Sequence, residues 1–319
     1  MIVFRSPEEI PSDYGPSVVT VGKFDGVHTG HRAVIDQVRT AADRRGARAV
    51  IVTFDRNPLA VLRPQACPPD VVGPAQKERL LAATGIDATL VLTFDAELAA
   101  LTPREFVERV LLPLGVVEVL VGVDFRFGHR AAGTPQVLAE LGEESGFTVR
   151  TLADVAAPGE GRRVSSTWVR EALAAGDVAT AAELLGRPHA VRGEVVHGAE
   201  RGRELGFPTA NLASDSEGLL PAEGVYAAWL VDERTPGAAF PAAVSVGVNP
   251  TFEELTRPRV EAYVLDRDDL DLYGAIVEIR FVARLRPMVA FPDPGALVGQ
   301  MRADVADARA ALSAPPPRR

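Results

Sequence analysis

Short, unbroken apolar runs recur through the first 186 residues: Ser17–Val21, Ala49–Phe54, Thr89–Phe94, Val117–Val123 and Phe147–Leu152. A strand covered on both faces by helices needs continuous apolarity in place of alternation, so these runs predict a parallel sheet. Helical periodicity fills the gaps. Val34, Ile35, Val38 and Ala41 share one face of a helix predicted over about His31 to Arg45, and Gly46 supplies its stop. Thr102-Pro103-Arg104-Glu105 offers an N-cap, a proline at the first helical position and a glutamate at N3. Trp168–Ala175 and Val178–Leu185 are further helical patterns, closing at Gly186-Arg187-Pro188. This half reads as a Rossmann-like, doubly wound α/β domain, whose ligand belongs beyond the carboxyl ends of the strands.

After residue 187 the period changes. Val277, Ile279, Phe281, Ala283 and Leu285 alternate with Glu278, Arg280, Val282, Arg284 and Arg286, a period of two. Val191–Val196, Val225–Val231, Ala242–Val248 and Arg259–Leu265 are further strand candidates, separated by Gly, Pro, Asp and Asn. Strands so closely spaced predict a small antiparallel β-barrel, with a final helix over roughly Gly295 to Leu312. The period change sets two domains, 1–186 and 187–319.

Composition narrows the partners. Of 319 residues, 47% are hydrophobic and 24% charged, an ordinary globular balance. The net charge of −9 argues against nucleic acid as a partner, although a single nucleotide needs only a few local cations. Cys67 is the one cysteine and sits among Pro64, Pro68 and Pro69, so neither a disulfide nor a thiolate metal site is expected. Met1–Arg5 shows no signal-peptide pattern, and no apolar run approaches the ~20 residues a membrane span needs. The expectation is a cytoplasmic protein with no membrane partner, a monomer or weak homo-oligomer.

The most informative segment is Gly22-Lys23-Phe24-Asp25-Gly26-Val27-His28-Thr29-Gly30-His31, directly after the first apolar run. A buried strand here breaks into a glycine-bearing turn at a helix start, where free backbone N–H groups attract phosphate. His28 and His31 have three readings: metal ligands, core histidines beside Asp25, or phosphate contacts. A zinc site wants three or four ligands, and the remaining histidines are only His129, His189 and His197, so the phosphate reading is adopted. Downstream, Ser165-Ser166-Thr167 could be a plain N-cap, while Arg170, one turn in, adds a fork suited to phosphate oxygens.

Together these two segments resemble the nucleotidylyltransferase superfamily, with its HxGH and Ser-Ser-Thr-x-x-Arg elements. In the second half, Leu205-Gly206-Phe207-Pro208-Thr209-Ala210-Asn211-Leu212 follows Arg201-Gly202-Arg203; its Gly-Phe-Pro-Thr-Ala-Asn, the segment Gly247-Val248-Asn249-Pro250-Thr251-Phe252, and Val260-Glu261-Ala262-Tyr263-Val264-Leu265-Asp266 before Asp271-Leu272-Tyr273-Gly274 resemble riboflavin kinase. Both motif sets, in this order along nearly the whole chain, are similar to the bacterial bifunctional riboflavin kinase/FAD synthetase family. The resemblance implies an N-terminal nucleotidylyltransferase domain that adenylylates FMN with ATP, and a C-terminal barrel that phosphorylates riboflavin with MgATP. It implies His28 and His31 for transition-state charge and Gly22, Phe24, Asp25, Gly30, Asn57, Ser165, Ser166, Arg170, Gly202 and Arg203 around ATP and its phosphates. Thr209 and Asn211 would ligate Mg²⁺, and Glu261 would be the base. No Gly-x-x-x-x-Gly-Lys-Ser/Thr loop occurs, so ATP in the kinase half must be held another way.

Two departures bear on the first activity. Asn57 in Thr53-Phe54-Asp55-Arg56-Asn57-Pro58 replaces a histidine of the family, and an amide donates but carries no charge. The alternative reading is therefore a riboflavin kinase whose N-terminal domain is inactive or re-targeted to another phosphorylated acceptor. Asp124 stands where some members have Asn, in a flavin-side loop that includes Phe125 and Phe127. For these two rings, flavin contact and plain core packing both fit.

Overall fold

The computed structural model describes residues 1–153, 162–198, 206–235, 237–247, 259–267 and 270–314. By internal contacts the chain forms two compact units, one of Met1–Asp70 and Lys77–Val164, the other of Val71–Gln76 and Ser165–Arg319.

The first unit is built on a parallel sheet of six strands: β1 (Ile2–Phe4), β2 (Ser17–Val21), β3 (Arg48–Phe54), β4 (Ala88–Leu92), β5 (Val116–Gly122) and β6 (Thr148–Leu152). Their order is β1-β4-β3-β2-β5-β6. The five predicted runs correspond to β2 through β6, with β6 at one edge of the sheet, and β1 forms the other edge through a three-residue pairing with β4. Successive side chains feed opposite layers. Val19, Val21, Val50 and Val52 enter one apolar cluster, whereas Val18, Ala49 and Ile51 enter the other, beside Ile35, Val38 and Ala41 of the Thr29–Arg45 helix. Burying each such Val or Ile contributes about 1.5–3 kcal/mol, which fixes how that helix lies on the sheet. Gly46 ends the helix in the left-handed conformation at φ 60°. The capping box over Thr102–Glu105 forms as expected, although the helix it starts loosens into a π turn at Val107–Leu111.

Strand order reverses at β2: β3 and β4 follow on one side, β5 and β6 on the other. The carboxyl ends of β2 and β5 therefore flank the crevice that open α/β sheets use for ligands.

The second unit holds a closed antiparallel barrel of β7 (Ala190–Val196), β8 (Thr209–Leu212), β9 (Gly224–Asp232), β10 (Ala239–Gly247), β11 (Arg259–Val264) and β12 (Ile276–Arg286), in the order β10-β11-β8-β7-β12-β9. A helix at Pro294–Ala311 packs on it through Val305 and Ala308, against Ala227, Trp229 and Leu285. Helices Ser166–Ala175 and Val178–Leu185 also belong to this unit. So does the segment Val71–Gln76, where Glu217 accepts hydrogen bonds from the Ala75 and Gln76 N–H groups at 3.2 Å and Gln76 Nε2 donates to the Ala190 carbonyl at 3.0 Å.

Candidate functional site

In the first unit, the turn after β2 is shaped by three residues with positive φ: Phe24 at 49°, Gly26 at 82° and Val27 at 41°. Two of these are not glycine, and such strain gathers where surrounding packing over-determines the backbone. Phe24, Asp25, Val27 and His28 are all buried. His28 is the N-cap of the Thr29–Arg45 helix, its Nδ1 accepting the His31 N–H at 3.2 Å. A ring nitrogen that accepts carries no proton, so His28 is the neutral tautomer with its proton on Nε2. His31, at N3, stacks on it with ring centroids 3.6 Å apart and 15° between planes, while Phe24 lies 5.1 Å from the other ring. Burial holds the His31 pKa well below the usual imidazole value, helped by His28, Lys23 and Arg163. Its Nδ1 is buried with no hydrogen-bond partner among the described residues. A Cβ on Gly30 would stand 3.1 Å from His28 Nδ1 and 3.6 Å from the Val164 carbonyl, so glycine is what lets the imidazole lie against the first turn. Gly22 likewise leaves room for the Phe24 ring, 3.1 Å from where its Cβ would be.

Asn57 is buried, and its Oδ1 accepts the Leu59 N–H at 3.1 Å. Its carbonyl is thereby committed to the backbone, and Nδ2 is the donor it has for a ligand. Asp124 follows β5, exposed, and pairs with Arg163 at 2.7 Å; that guanidinium holds the carboxyl below its ordinary range, with Arg126 adding to it. Phe127 is buried in the sheet core, and half-buried Phe125 stacks on it at 5.4 Å. Lys77 was not singled out by sequence; in the structure it lies on a helix at Pro74–Ala82. Its Nζ donates to the Phe54 carbonyl at 2.6 Å at the carboxyl end of β3, and burial lowers its pKa against the opposing pull of Asp70, Asp25 and Asp55.

Ser165 caps the Ser166–Ala175 helix, its Oγ accepting the Trp168 N–H at 3.3 Å, so the plain capping role is present. Ser166 opens that helix and Arg170 lies half-buried one turn in; these three belong to the second unit. Gly202 and Arg203 lie outside the described residues, as does most of the Gly247–Phe252 segment.

The barrel unit brings three predicted residues onto one face. On β8, Thr209 and Asn211 alternate with buried Ala210 and Leu212. Asn211 is the direct cross-strand partner of Glu261 on β11, and Glu261 in turn is the partner of Ser245 on β10. Directly opposite residues share a face, with Cβ atoms about 4.5–5.5 Å apart. Asn211 Nδ2 donates to the Thr209 carbonyl at 3.2 Å, so its Oδ1, a hard oxygen, is not the atom used in that bond. Burial raises the Glu261 pKa, with Arg259 opposing. Thr209, Ser245, Glu261 and Tyr263 line a cavity of 240 Å³ whose other walls are mainly apolar. Thr209 also borders a smaller cavity of 80 Å³, lined by Pro208, Arg267 and Tyr273 among others. Arg267 lies over the Phe240 ring at 5.2 Å, and His197 stacks on Tyr273 at 3.9 Å. Ser245, and the Arg286–Asp304 pair on the cavity wall, were missed by sequence reading because only the barrel's strand order and the packing of the Pro294–Ala311 helix gather them.

A nucleotide-type α/β sheet with paired histidines after its central strand, and a barrel with a carboxylate-bearing apolar cavity, define a two-module transferase. A family model described as FAD synthetase matches residues 10–168, and one described as riboflavin kinase matches residues 185–312. The bifunctional riboflavin kinase/FMN adenylyltransferase of Pseudomonas fluorescens is 36% identical over 316 residues, covering 99% of each chain. That of Escherichia coli strain K12 is 35% identical, covering 92% of this chain and 91% of its own. A solved structure described as a macrolide-efflux protein from Streptococcus pneumoniae superposes with a TM-score of 0.83 at 31% identity, covering 97% of this chain and 98% of that one. The chain belongs to the bifunctional riboflavin kinase/FMN adenylyltransferase family. Among the described residues, no helix is long and apolar enough to cross a membrane.

Proposed function

We propose that the barrel transfers the γ-phosphoryl group of ATP to the 5′-hydroxyl of riboflavin, and that the N-terminal module joins the resulting FMN to AMP from a second ATP, giving FAD and pyrophosphate. The observation that carries the kinase half is Glu261, a carboxylate of raised pKa beside Asn211 and Ser245 at a largely apolar cavity of 240 Å³. Glu261 takes the hydroxyl proton as the oxygen attacks phosphorus and ADP departs; a base poised above the ordinary carboxylate range holds that proton better.

The donor set fits Mg²⁺ carried in on ATP. Among the described residues no cluster of three or more His, Cys, Asp or Glu could hold a metal alone, and Mg²⁺ prefers a few hard protein oxygens plus phosphate and water. Thr209 Oγ1 and Asn211 Oδ1 would hold it, and it would neutralise phosphate charge. Gly202 and Arg203 are assigned to the phosphates of this ATP on family resemblance.

For adenylyl transfer the FMN phosphate attacks the α-phosphorus directly and pyrophosphate leaves. His28 contributes an Nε2–H donor fixed by its capping bond, and His31 an imidazole sealed on one side and kept neutral until an anion arrives. Both stabilise charge that develops in the transition state. Gly22, Phe24, Asp25 and Gly30 shape the turn, Asn57 offers Nδ2, and Ser165, Ser166 and Arg170 bind ATP phosphates. Asp124 and Phe125 face flavin, with Phe127 supporting the Phe125 ring. We assign the kinase to residues 187–319 and the transferase to 1–186, in a cytoplasmic monomer or weak homo-oligomer. Incubation with riboflavin, ATP and Mg²⁺, followed by chromatography over time, should show FMN appearing and then converting to FAD. FMN alone would leave the N-terminal module silent, and no FMN would sink the kinase assignment.

A further inference from the structure

The carboxyl end of β3 carries a backbone group that the sheet does not satisfy. The Val52 carbonyl accepts the Gly22 N–H at 3.0 Å, just past the end of the β2–β3 pairing. Backbone carbonyls along a strand repeat their direction every second residue, so the Phe54 carbonyl points the same way as that of Val52. The Asp55 N–H, one residue out of phase, goes to the other side and donates to the Leu92 carbonyl of β4 at 2.9 Å. On the β2 side the strand has ended at Val21, and among the described residues no backbone N–H is bonded to the Phe54 carbonyl.

Lys77 takes the place of that missing N–H. Its Nζ donates to the Phe54 carbonyl at 2.6 Å, a charge-assisted bond from a helix to the strand end. The side chain is half-buried, and burial lowers its pKa while Asp70, Asp25, Asp55 and Glu78 pull the other way. Two of these carboxylates have cations of their own: Asp55 pairs with Arg56 at 2.8 Å, and Glu78 with Arg5. A second stitch runs alongside, where Thr53 Oγ1 donates to the Lys23 carbonyl at 3.2 Å and ties β3 to the turn that bears His28 and His31. Three residues past Phe54 stands buried Asn57, whose Oδ1 accepts the Leu59 N–H. The direction of its Nδ2 is therefore set by the backbone on both sides, by Leu59 after it and by the tethered Phe54 before it.

We propose that Lys77 is a positioning residue for adenylyl transfer: its ammonium clamps the end of β3 and so fixes the Asn57 amide beside the His28–His31 turn. A clamp matters here because of what it holds. A neutral amide stabilises developing charge only through a directed hydrogen bond, which weakens steeply with misalignment, whereas a charged group also acts at a distance. The inference rests on the transferase reading above.

The test measures adenylylation of supplied FMN by the full chain. Lys77→Met keeps most of the side-chain volume and removes the donor. Its kcat should fall by at least about tenfold, with the KM values for FMN and ATP within about threefold, because misplacing an oriented group costs rate. Lys77→Arg restores a cationic donor and should recover kcat to within about threefold of the wild type. Since Lys77 acts through Asn57, the losses in Lys77→Met and Asn57→Ala should overlap. The double variant should be no more than about threefold slower than the slower single one. Losses that multiply overturn the proposal, as do a wild-type kcat in Lys77→Met, a loss confined to KM, or an equal loss in Lys77→Arg. Unaltered riboflavin phosphorylation would show that the barrel of each variant is intact. If Lys77→Met does not fold, Lys77→Gln, whose shorter side chain cannot reach the Phe54 carbonyl, takes its place with the same outcomes. A wild-type chain that makes no FAD from FMN fails the transferase reading itself, a distinct result.

Discussion

Glu261 and Asn211 face each other across β11 and β8, which places a carboxylate of raised pKa directly beside a hard oxygen donor. Glu261→Gln should lower riboflavin phosphorylation by about 10²–10⁴-fold while adenylylation of supplied FMN continues. The same substitution should stabilise the barrel at neutral pH. Burial raises the folded pKa of Glu261 above the ordinary 4.5, so above that pH the folded state holds more proton than the unfolded one and stability falls as pH rises. The amide is free of this loss. The gap in melting temperature between variant and wild type should therefore open as pH increases from about 4.5, and a gap that closes would contradict the assignment.

Gly198 is the next test of that corner. A Cβ there would fall inside contact distance of the Asn211 amide, so Gly198→Ala must push the amide aside. The expected result is a raised Mg²⁺ requirement for phosphorylation, read as a shift in the Mg²⁺ concentration giving half-maximal rate. Adenylyl transfer should be unaffected. An unchanged Mg²⁺ profile would remove Asn211 from the metal site.

How far sequence alone reached can be judged element by element. Strands β2 to β5 were legible because both sheet faces are covered, which forces nearly continuous apolar runs such as Val18–Val21, while the edge strand β6 is partly exposed. The three-residue β1 and the four-residue β8 were too short to show a period; Thr209–Leu212 also follows a Gly-Phe-Pro turn that masks it. Glu261 and Asn211 could be named separately from family resemblance, but their pairing needs β11 to lie beside β8, out of chain order. Lys77 and Asp304 carry no signature in the sequence; tertiary packing half-buries the first and buries the second. Phe127 had two readings, and the fold places its ring in the core.

His28 combines two roles that a substitution can separate. Asparagine is a good N-cap, so His28→Asn should keep the bond from the His31 N–H and leave stability within a few tenths of a kcal/mol, while His28→Ala loses about 1 kcal/mol. Both remove the imidazole, and both should cut FAD formation by about 10²–10³-fold with FMN formation intact. Comparing melting temperatures and FAD rates for the pair checks this. Full activity in His28→Asn would reduce the residue to a helix cap.

His189 gives the barrel a defined acid sensitivity. The residue is 1% exposed, its Nε2 lies 2.6 Å from the Leu219 carbonyl, and its Nδ1 is buried without a partner among the described residues. Nε2 must donate to that carbonyl, so Nδ1 is the site that an added proton would occupy, in a place with nothing to accept from it. Burial lowers the pKa from 6.5 to about 4, outweighing the carbonyl bond that favours the charged form, with Arg187 also lowering it. Between those values the unfolded chain binds the proton and the folded one does not, so stability is complete above pH 6.5 and is lost as pH falls toward 4. At 1.36 kcal/mol per unit the loss is about 3 kcal/mol, large against a domain's typical 5–15 kcal/mol. His189→Gln keeps an N–H for the Leu219 carbonyl and has nothing to titrate. Its denaturant midpoint should vary less than the wild type's between pH 6.5 and 4, and the two should differ most at the acid end. Parallel curves would mean that the barrel's acid response originates elsewhere.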